Sequence, residues 1–359
     1  MKVLFIARNT LFKVTGGDTV QVLETAAHLR ELGIEVDVKI TGEVFDYSKY
    51  DLIHFFNIIR PSDILPHIQN SKLPFVVSTI FVDYTEFEKN NRHGIKGLIL
   101  RFMHTDAAEY VKNIVRSLIR GDDKIHKGYL FYGHRKSLIK VAEKAVRLLP
   151  NSNSEYKRLQ MSYGIDKPYT VIPNGINTSI FHNAVQKTEK DVKLVLCVAR
   201  IEGRKNQLRL IEALNNTDYT LLLIGDPAPN QNAYYKLCKK KAASNIEFIH
   251  QLPQHELEPF YRRAKVHVLP SWFETTGLSS LEAGIMGCNI VISDRGDVRE
   301  YFGDQAFYCD PSSAISIKQC IDAAASAPVN EQFQQYILEH YTWKKAAMLT
   351  AKVYNQILA

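Results

Sequence analysis

Apolar positions in the first ninety residues come as short runs separated by segments of helical periodicity. Residues 2–7 read as a buried strand, 19–32 as a helix halted by Gly33, and 34–40 as a second strand. The runs 51–56 and 75–81 continue the series, each bounded by turn or polar residues. A second alternation starts at Lys193, with strands over 194–198, 219–224, 246–249, 266–269 and 289–292 and helices over 207–214, 234–243, 255–263 and 278–286. Alternating strands and helices build a parallel sheet covered on both faces, so the fold class is α/β with two Rossmann-like halves and a cleft between them. Between the halves, Pro173-Asn174-Gly175 is a turn after a strand-like stretch at 169–172, and the polar run 183–191 reads as the linker. The expected domains are 1–182 and 183–343.

Composition narrows the class without naming a function. A chain of 359 residues with 45% hydrophobic and 23% charged residues is globular, not disordered, collagenous or coiled-coil. Its length favours two cores over one. The cysteines Cys197, Cys238, Cys288, Cys309 and Cys320 are odd in number and widely spaced, and read as free thiols of a reducing compartment. The apolar run 3–7 is too short for a signal peptide or a membrane span, and no other run reaches spanning length, so a cytoplasmic protein is expected.

The net charge of +7 is unevenly spread. Residues 92–147 hold thirteen Lys or Arg against five Asp or Glu, so this helical, strand-poor insertion accounts for the whole excess. Leu98, Ile99, Leu100, Phe102, Ile114, Leu118, Ile119, Tyr129, Leu130, Phe131 and Tyr132 interleave with the basic residues. Membrane-surface helices have this pattern, and so does a helical insertion with a solvated basic face.

The chemistry concentrates in two stretches. In PSWFETTGLSSLEAGIMGC (270–288), Leu278, Leu281, Ile285 and Met286 follow helical spacing, which predicts a helix starting near Gly277 with Thr275 and Thr276 as caps. A helix start offers unpaired N–H groups and a positive dipole end to an anion. Glu274 precedes that start and Glu282 lies inside the helix. In VLCVARIEGRKNQLRLIEAL (195–214), Arg200 follows a buried strand and Lys205 stands at the next helix entry, where open α/β sheets bind ligands. Two cations there would neutralise charge on a departing diphosphate. Near the N-terminus, Gly16-Gly17 precedes a helix, and Asp18 beside them reads as its cap or as an acceptor-side residue.

Together these residues resemble the retaining glycosyltransferases of family 4, whose GT-B architecture has two Rossmann-like domains facing across a cleft. Glu274 and Glu282 match the family's EX7E pattern, Arg200 and Lys205 its diphosphate-binding cations, VIPNGINTSIF (171–181) its turn into the second domain, and Gly16-Gly17 its glycine loop. The resemblance implies that Arg200 and Lys205 hold the donor diphosphate with help from the N–H groups of Thr276, Gly277 and Leu278. It implies that Glu274 contacts the transferred sugar and Glu282 the ribose. It further implies an acceptor domain over 1–182, joined by a last helix at 344–359, and a sugar-nucleotide domain over 183–343. The implied reaction is metal-independent and cofactor-free, from a nucleotide-diphosphate sugar to a glycan or lipid-linked acceptor in bacterial surface polysaccharide synthesis.

One position departs from the family. Where many members carry a His after the fourth strand, VVSTIFVDY (76–84) has Phe81 or Val82, leaving Asp83, Tyr84 and the strand-end His54 as acceptor-side candidates. This motivates an alternative, a catalytically idle GT-B protein that binds a membrane or a partner transferase. A nicotinamide dehydrogenase would need GxGxxG after the first strand, which is absent. A nucleic-acid binder does not account for Glu274 and Glu282, and no cluster has metal-ligand spacing.

Overall fold

The structure, a computed structural model, describes residues 1–83, 86–87, 110, 127–181 and 189–359. Tyr84, most of the basic insertion expected over 92–147 and most of the linker expected over 183–191 lie outside the described residues. The chain divides into two compact units, Met1–Asn174 with Trp343–Ala359, and Gly175–Thr342. The crossing falls inside the Pro173-Asn174-Gly175 turn, ahead of the boundary expected at 182. The reason is packing: Ile176 donates its N–H to Tyr341 O at 2.8 Å, and Ile176 and Phe181 already sit in the second unit's apolar core.

In the first unit, β1 (Lys2–Ala7), α1 (Gly17–Glu31), β2 (Glu35–Ile40), β3 (Leu52–Phe56), α2 (Pro61–Asn70), β4 (Phe75–Ser78), α3 (Lys127–Lys144), β5 (Arg147–Leu149) and α4 (Asn153–Tyr163) follow one another among the described residues. The strands form a parallel sheet in the order β2-β1-β3-β4-β5. Strands β3 and β4 are buried along their whole length, which is why they read as continuous apolar runs without alternation. Gly33, at φ +80, ends the α1 turn in a conformation that L side chains rarely adopt. The strand-like stretch 169–172 is not a strand. Flanked by Pro168 and Pro173, it runs beside β5 as an irregular segment, with Thr170 N donating to Leu148 O at 3.0 Å and Ile172 N to Pro150 O at 2.9 Å.

The second unit comprises β6 (Asp191–Val198), α5 (Gln207–Leu214), β7 (Thr220–Ile224), α6 (Asn232–Lys241), β8 (Ile246–Ile249), α7 (Gln254–Arg263), β9 (Ala264–Leu269), α8 (Leu278–Ile285), β10 (Asn289–Ser293), α9 (Val298–Phe302), β11 (Ala306–Cys309), α10 (Ala314–Ser326) and α11 (Glu331–His340). Its parallel sheet has the order β11-β10-β9-β6-β7-β8. The chain begins in the middle at β6, winds outward through β7 and β8, then returns to the other side at β9. The point where the winding reverses, between β6 and β9, is where doubly wound sheets take ligands, beyond the strand C-termini.

The last helix, α12 (Trp343–Leu358), belongs to the first unit and packs on α1. Trp343, Ala346, Ala347, Thr350, Val353 and Tyr354 are its buried side. Of the apolar positions Ala347, Ala351, Tyr354 and Leu358 read from the sequence, Ala347 and Tyr354 lie on that side, whereas Leu358 is 38% exposed at the chain end.

Candidate active site

The candidate donor-side residues gather at the winding reversal of the second unit. Arg200 lies just past β6, and its backbone O accepts from Gln207 Nε2 at 2.9 Å. The approach of β7 depends on Gly225: at φ +149, a Cβ there would lie 2.1 Å from Ala199 O. Glu202 is buried, with its carboxylate 2.8 Å from Arg204 Nη2 and 3.6 Å from Arg200 Nη2. Burial works to raise its pKa, but Arg204, Arg200 and Lys205 outweigh that and hold it below the usual value.

Lys205 Nζ donates to Glu274 Oε1, which joins the loop after β6 to the loop after β9. Glu274 is buried and braced through its backbone, its N–H reaching Arg295 O at 3.4 Å and its O accepting from Asp297 N at 2.9 Å. Between those contacts sits Gly296 at φ +85, where a Cβ would lie 2.0 Å from Glu274 O. The stretch Asp294-Arg295-Gly296-Asp297 is therefore the brace of Glu274 and more than the plain loop its sequence suggests. The legible signal was a glycine among polar residues directly after a strand.

Glu282 takes Gln254 Nε2 on Oε1 at 2.8 Å and the Tyr261 hydroxyl on Oε2 at 3.1 Å. Burial, and then the charge of Glu282, push the Tyr261 phenol well above its ordinary pKa, so it stays a proton donor to the carboxylate. Helix α8 starts at Leu278, but the expected caps are not used. Gly277 is the N-cap in the left-handed region at φ +70, without a side-chain cap bond, and Thr276 is buried. A threonine cap requires extended backbone at the cap position, whereas the left-handed turn here favours glycine. The first turn still presents amides of Gly277, Leu278 and Ser279, which a helix start leaves without intrahelical partners.

Asn206 was invisible to motif reading. In the left-handed region at φ +61, it precedes α5 and donates through Nδ2 to Pro270 O at 3.1 Å and Pro311 O at 2.7 Å, pinning loops after β9 and β11. Asparagine tolerates that backbone better than most residues.

The other candidates belong to the first unit and correct several expectations. Helix α1 starts at Gly17, two residues ahead of Thr19, with Gly16 as N-cap at φ −165, extended backbone that any residue adopts. Asp18 is not that cap. Its two oxygens take the Arg8 guanidinium at 2.5 and 3.0 Å, while the Gly16 N–H is bound by Thr19 Oγ1 at 3.1 Å. Arg8 also holds Thr10 O at 2.8 Å and Val14 O at 2.6 Å, so it organises the whole β1–α1 loop. His54 lies in the middle of β3, not at its end, and is 1% exposed. Both ring nitrogens are engaged, Nδ1 with the Tyr354 hydroxyl and Nε2 with Ser78 Oγ at 2.9 Å, and burial lowers its pKa to about 3. It is a structural residue with no nitrogen left for an acceptor. Phe81, standing where the family His is expected, is buried against Tyr163 with its N–H on Glu155 at 2.7 Å; Asp83 is exposed.

Comparison with known proteins places the chain among relatives by sequence and by fold. Residues 180–340 match the family model described as Glycosyl transferases group 1. A glycogen synthase of Mycobacterium tuberculosis is 27% identical over 197 residues, 52% of this chain and 48% of that protein, so the chain matches about half the relative's length. Among solved structures, a sucrose-phosphate synthase from Thermosynechococcus elongatus superposes with a TM-score of 0.77 at 15% identity, over 99% of both chains. Anabaena Alr3699/HepE in complex with UDP-glucose gives 0.72 at 15% identity, over 99% of this chain and 100% of that one. The fold is thus GT-B, two parallel-sheet α/β domains. The chain is similar to glycosyltransferases, and the matched segment contains the cluster of Arg200, Lys205, Glu274 and Glu282.

Proposed function

We propose that this protein is a retaining glycosyltransferase that moves a sugar from a nucleotide-diphosphate sugar to a hydroxyl of a glycan or lipid-linked acceptor, in bacterial surface polysaccharide synthesis. The observation that carries the reading is the Lys205–Glu274 contact at the winding reversal, beside the N-terminus of α8. It sets a cation for the diphosphate next to a carboxylate for the sugar.

Arg200 and Lys205, with the amides of Thr276, Gly277 and Leu278, take the donor diphosphate and stabilise the charge that develops as it leaves. Glu274 orients the transferred sugar and Glu282 holds the ribose. The bond between the anomeric carbon and the diphosphate oxygen breaks as the acceptor oxygen bonds to that carbon on the same face, and the acceptor's proton passes to the departing phosphate oxygen. Side-chain cations and helix amides carry the leaving-group charge, so the reaction needs no metal or cofactor. HepE, bound to UDP-glucose in its own structure, supports a nucleotide sugar as donor here.

Attachment to an anionic membrane face belongs to the same proposal. Leu130, Phe131 and Tyr132 are 47%, 86% and 38% exposed on α3, ahead of the exposed Arg135 and Lys136, and apolar side chains beside cations suit a lipid surface. Among the described residues no helix is long and apolar enough to cross a membrane.

Thermal stabilisation by a panel of nucleoside diphosphates and sugar nucleotides, without added metal, tests the reading. One base is expected to raise the midpoint selectively. Lys205→Ala and Glu282→Ala are expected to remove that shift, and Lys205→Ala to lower kcat by about 10²–10³-fold. No shift with any nucleotide favours the idle, membrane- or partner-binding alternative, which Phe81 in place of the family His motivates.

A further inference from the structure

One buried carboxylate at this site has no part in the mechanism above. Glu202 is 5% exposed, and its neighbours on both sides are cations. Its Oε2 takes Arg204 Nη2 at 2.8 Å and its Oε1 lies 3.6 Å from Arg200 Nη2. The loop around it is tied down. Glu202 N donates to Gln207 Oε1 at 3.4 Å, Lys205 N to Glu202 O at 2.9 Å, and Gly203 N to Gln231 Oε1 at 3.3 Å. Gln207 also grips Arg200 O, so one buried side chain fixes both ends of the 200–202 turn. Trp272 N donates to Arg204 O at 2.9 Å, which continues the brace into the loop that carries Glu274.

A fixed carboxylate between two guanidinium groups does two things. It holds the long arginine side chains in one geometry, which flexible cations facing water otherwise lack. It also cancels part of the positive potential that a diphosphate would feel. Without that cancellation, the same cations that stabilise the leaving group in the transition state would hold the product just as tightly, which does not speed turnover.

We propose that Glu202 is a positioning residue of the donor site, a built-in counter-ion that aims Arg200 and Arg204 at the diphosphate and loosens their grip on the product nucleoside diphosphate. The inference rests on the transferase reading.

The test measures binding of uridine, guanosine and adenosine diphosphates by calorimetry, together with steady-state transfer, for wild type, Glu202→Gln, Glu202→Asp and Arg204→Gln. Glu202→Gln is expected to bind the cognate diphosphate several-fold tighter, to be more strongly inhibited by it, and to lose about tenfold in kcat. Glu202→Asp keeps the charge and is expected to restore near-wild-type diphosphate affinity. Arg204→Gln is expected to weaken diphosphate binding, and it serves where Glu202→Gln does not fold. Weaker or unchanged affinity in Glu202→Gln, unchanged kcat in that variant, or unchanged affinity in Arg204→Gln overturns the proposal. A wild type that binds none of the three diphosphates instead overturns the transferase reading itself.

Discussion

At the scale of single residues, the candidate donor-side cluster is held by backbone geometry as much as by charge. Glu274 reaches Lys205 only because its own main chain is clamped against the 294–297 turn, and that turn closes only around a glycine. Gly296→Ala is therefore expected to cost stability on two counts. The left-handed backbone alone disfavours alanine by roughly 1–2 kcal/mol, and a Cβ 2.0 Å from Glu274 O forces main chain to shift. The expected readout is a lower urea midpoint together with a reduction of the proposed transferase activity, since the displaced segment carries Glu274. A variant with unchanged midpoint and activity would show that the turn yields without moving Glu274. The two glutamates differ in kind. Glu274 pairs with the Lys205 cation, whereas Glu282 accepts from the neutral donors of Gln254 and Tyr261.

At the scale of elements, strand β3 carries a buried histidine with Phe5 and Phe56 against its ring and two hydroxyls on its nitrogens. His54 in β3 and His267 in β9 have pKa values lowered by burial to about 3, and His67 in α2 to about 4. The folded protein keeps these imidazoles neutral, while the unfolded chain protonates them near the ordinary 6.5. Below about pH 6.5 the unfolded state binds more protons, so their contribution is complete above that pH and is lost progressively toward their folded values. The slope is about 1.4 kcal/mol per pH unit for each such group. Denaturant unfolding at pH 7, 6 and 5 is expected to show this loss, with a shallower slope in His54→Asn; equal slopes would mean that His54 protonates in the folded state. The same histidine ties β3 to α12, because its Nδ1 pairs with the Tyr354 hydroxyl. Tyr354→Phe is expected to cost about 1–3 kcal/mol by leaving a buried nitrogen unpaired, measured as a shift in denaturation midpoint with unchanged m-value.

At the scale of the whole molecule, the first unit is discontinuous in sequence, and its last piece is structural. Trp343, Ala347 and Tyr354 are at most 1% exposed, so a chain ending at residue 342 would leave a strip of apolar surface on α1 bare. Such a chain is expected to become protease-sensitive within 1–174 while 175–342 keeps its protection; unchanged resistance in both would contradict that role for α12. The alternation of strands and helices was largely legible beforehand, whereas the strand order was not. Runs such as 3–7 and 266–269 stood out because strands buried on both faces leave a nearly continuous apolar signature. Arg200, Lys205, Glu274 and Glu282 were legible as candidates, because they stand at strand ends and a helix start at motif-like spacing. The glycine cap of α8, the Arg8–Asp18 pair, the burial of His54 and the brace around Gly296 were not legible. The cap rests on a left-handed backbone, the Arg8–Asp18 pair on the shape of one loop, the burial of His54 on packing against β3, and the Gly296 brace on two loops meeting. Local periodicity, composition and motif spacing thus determined the α/β class and the candidate charges. Only the tertiary structure decided which charges meet: Lys205 and Glu274 are paired by the packing of the loops that follow β6 and β9, while Glu202 meets Arg200 and Arg204 through the shape of the single loop after β6, and left-handed turns and buried contacts set both geometries.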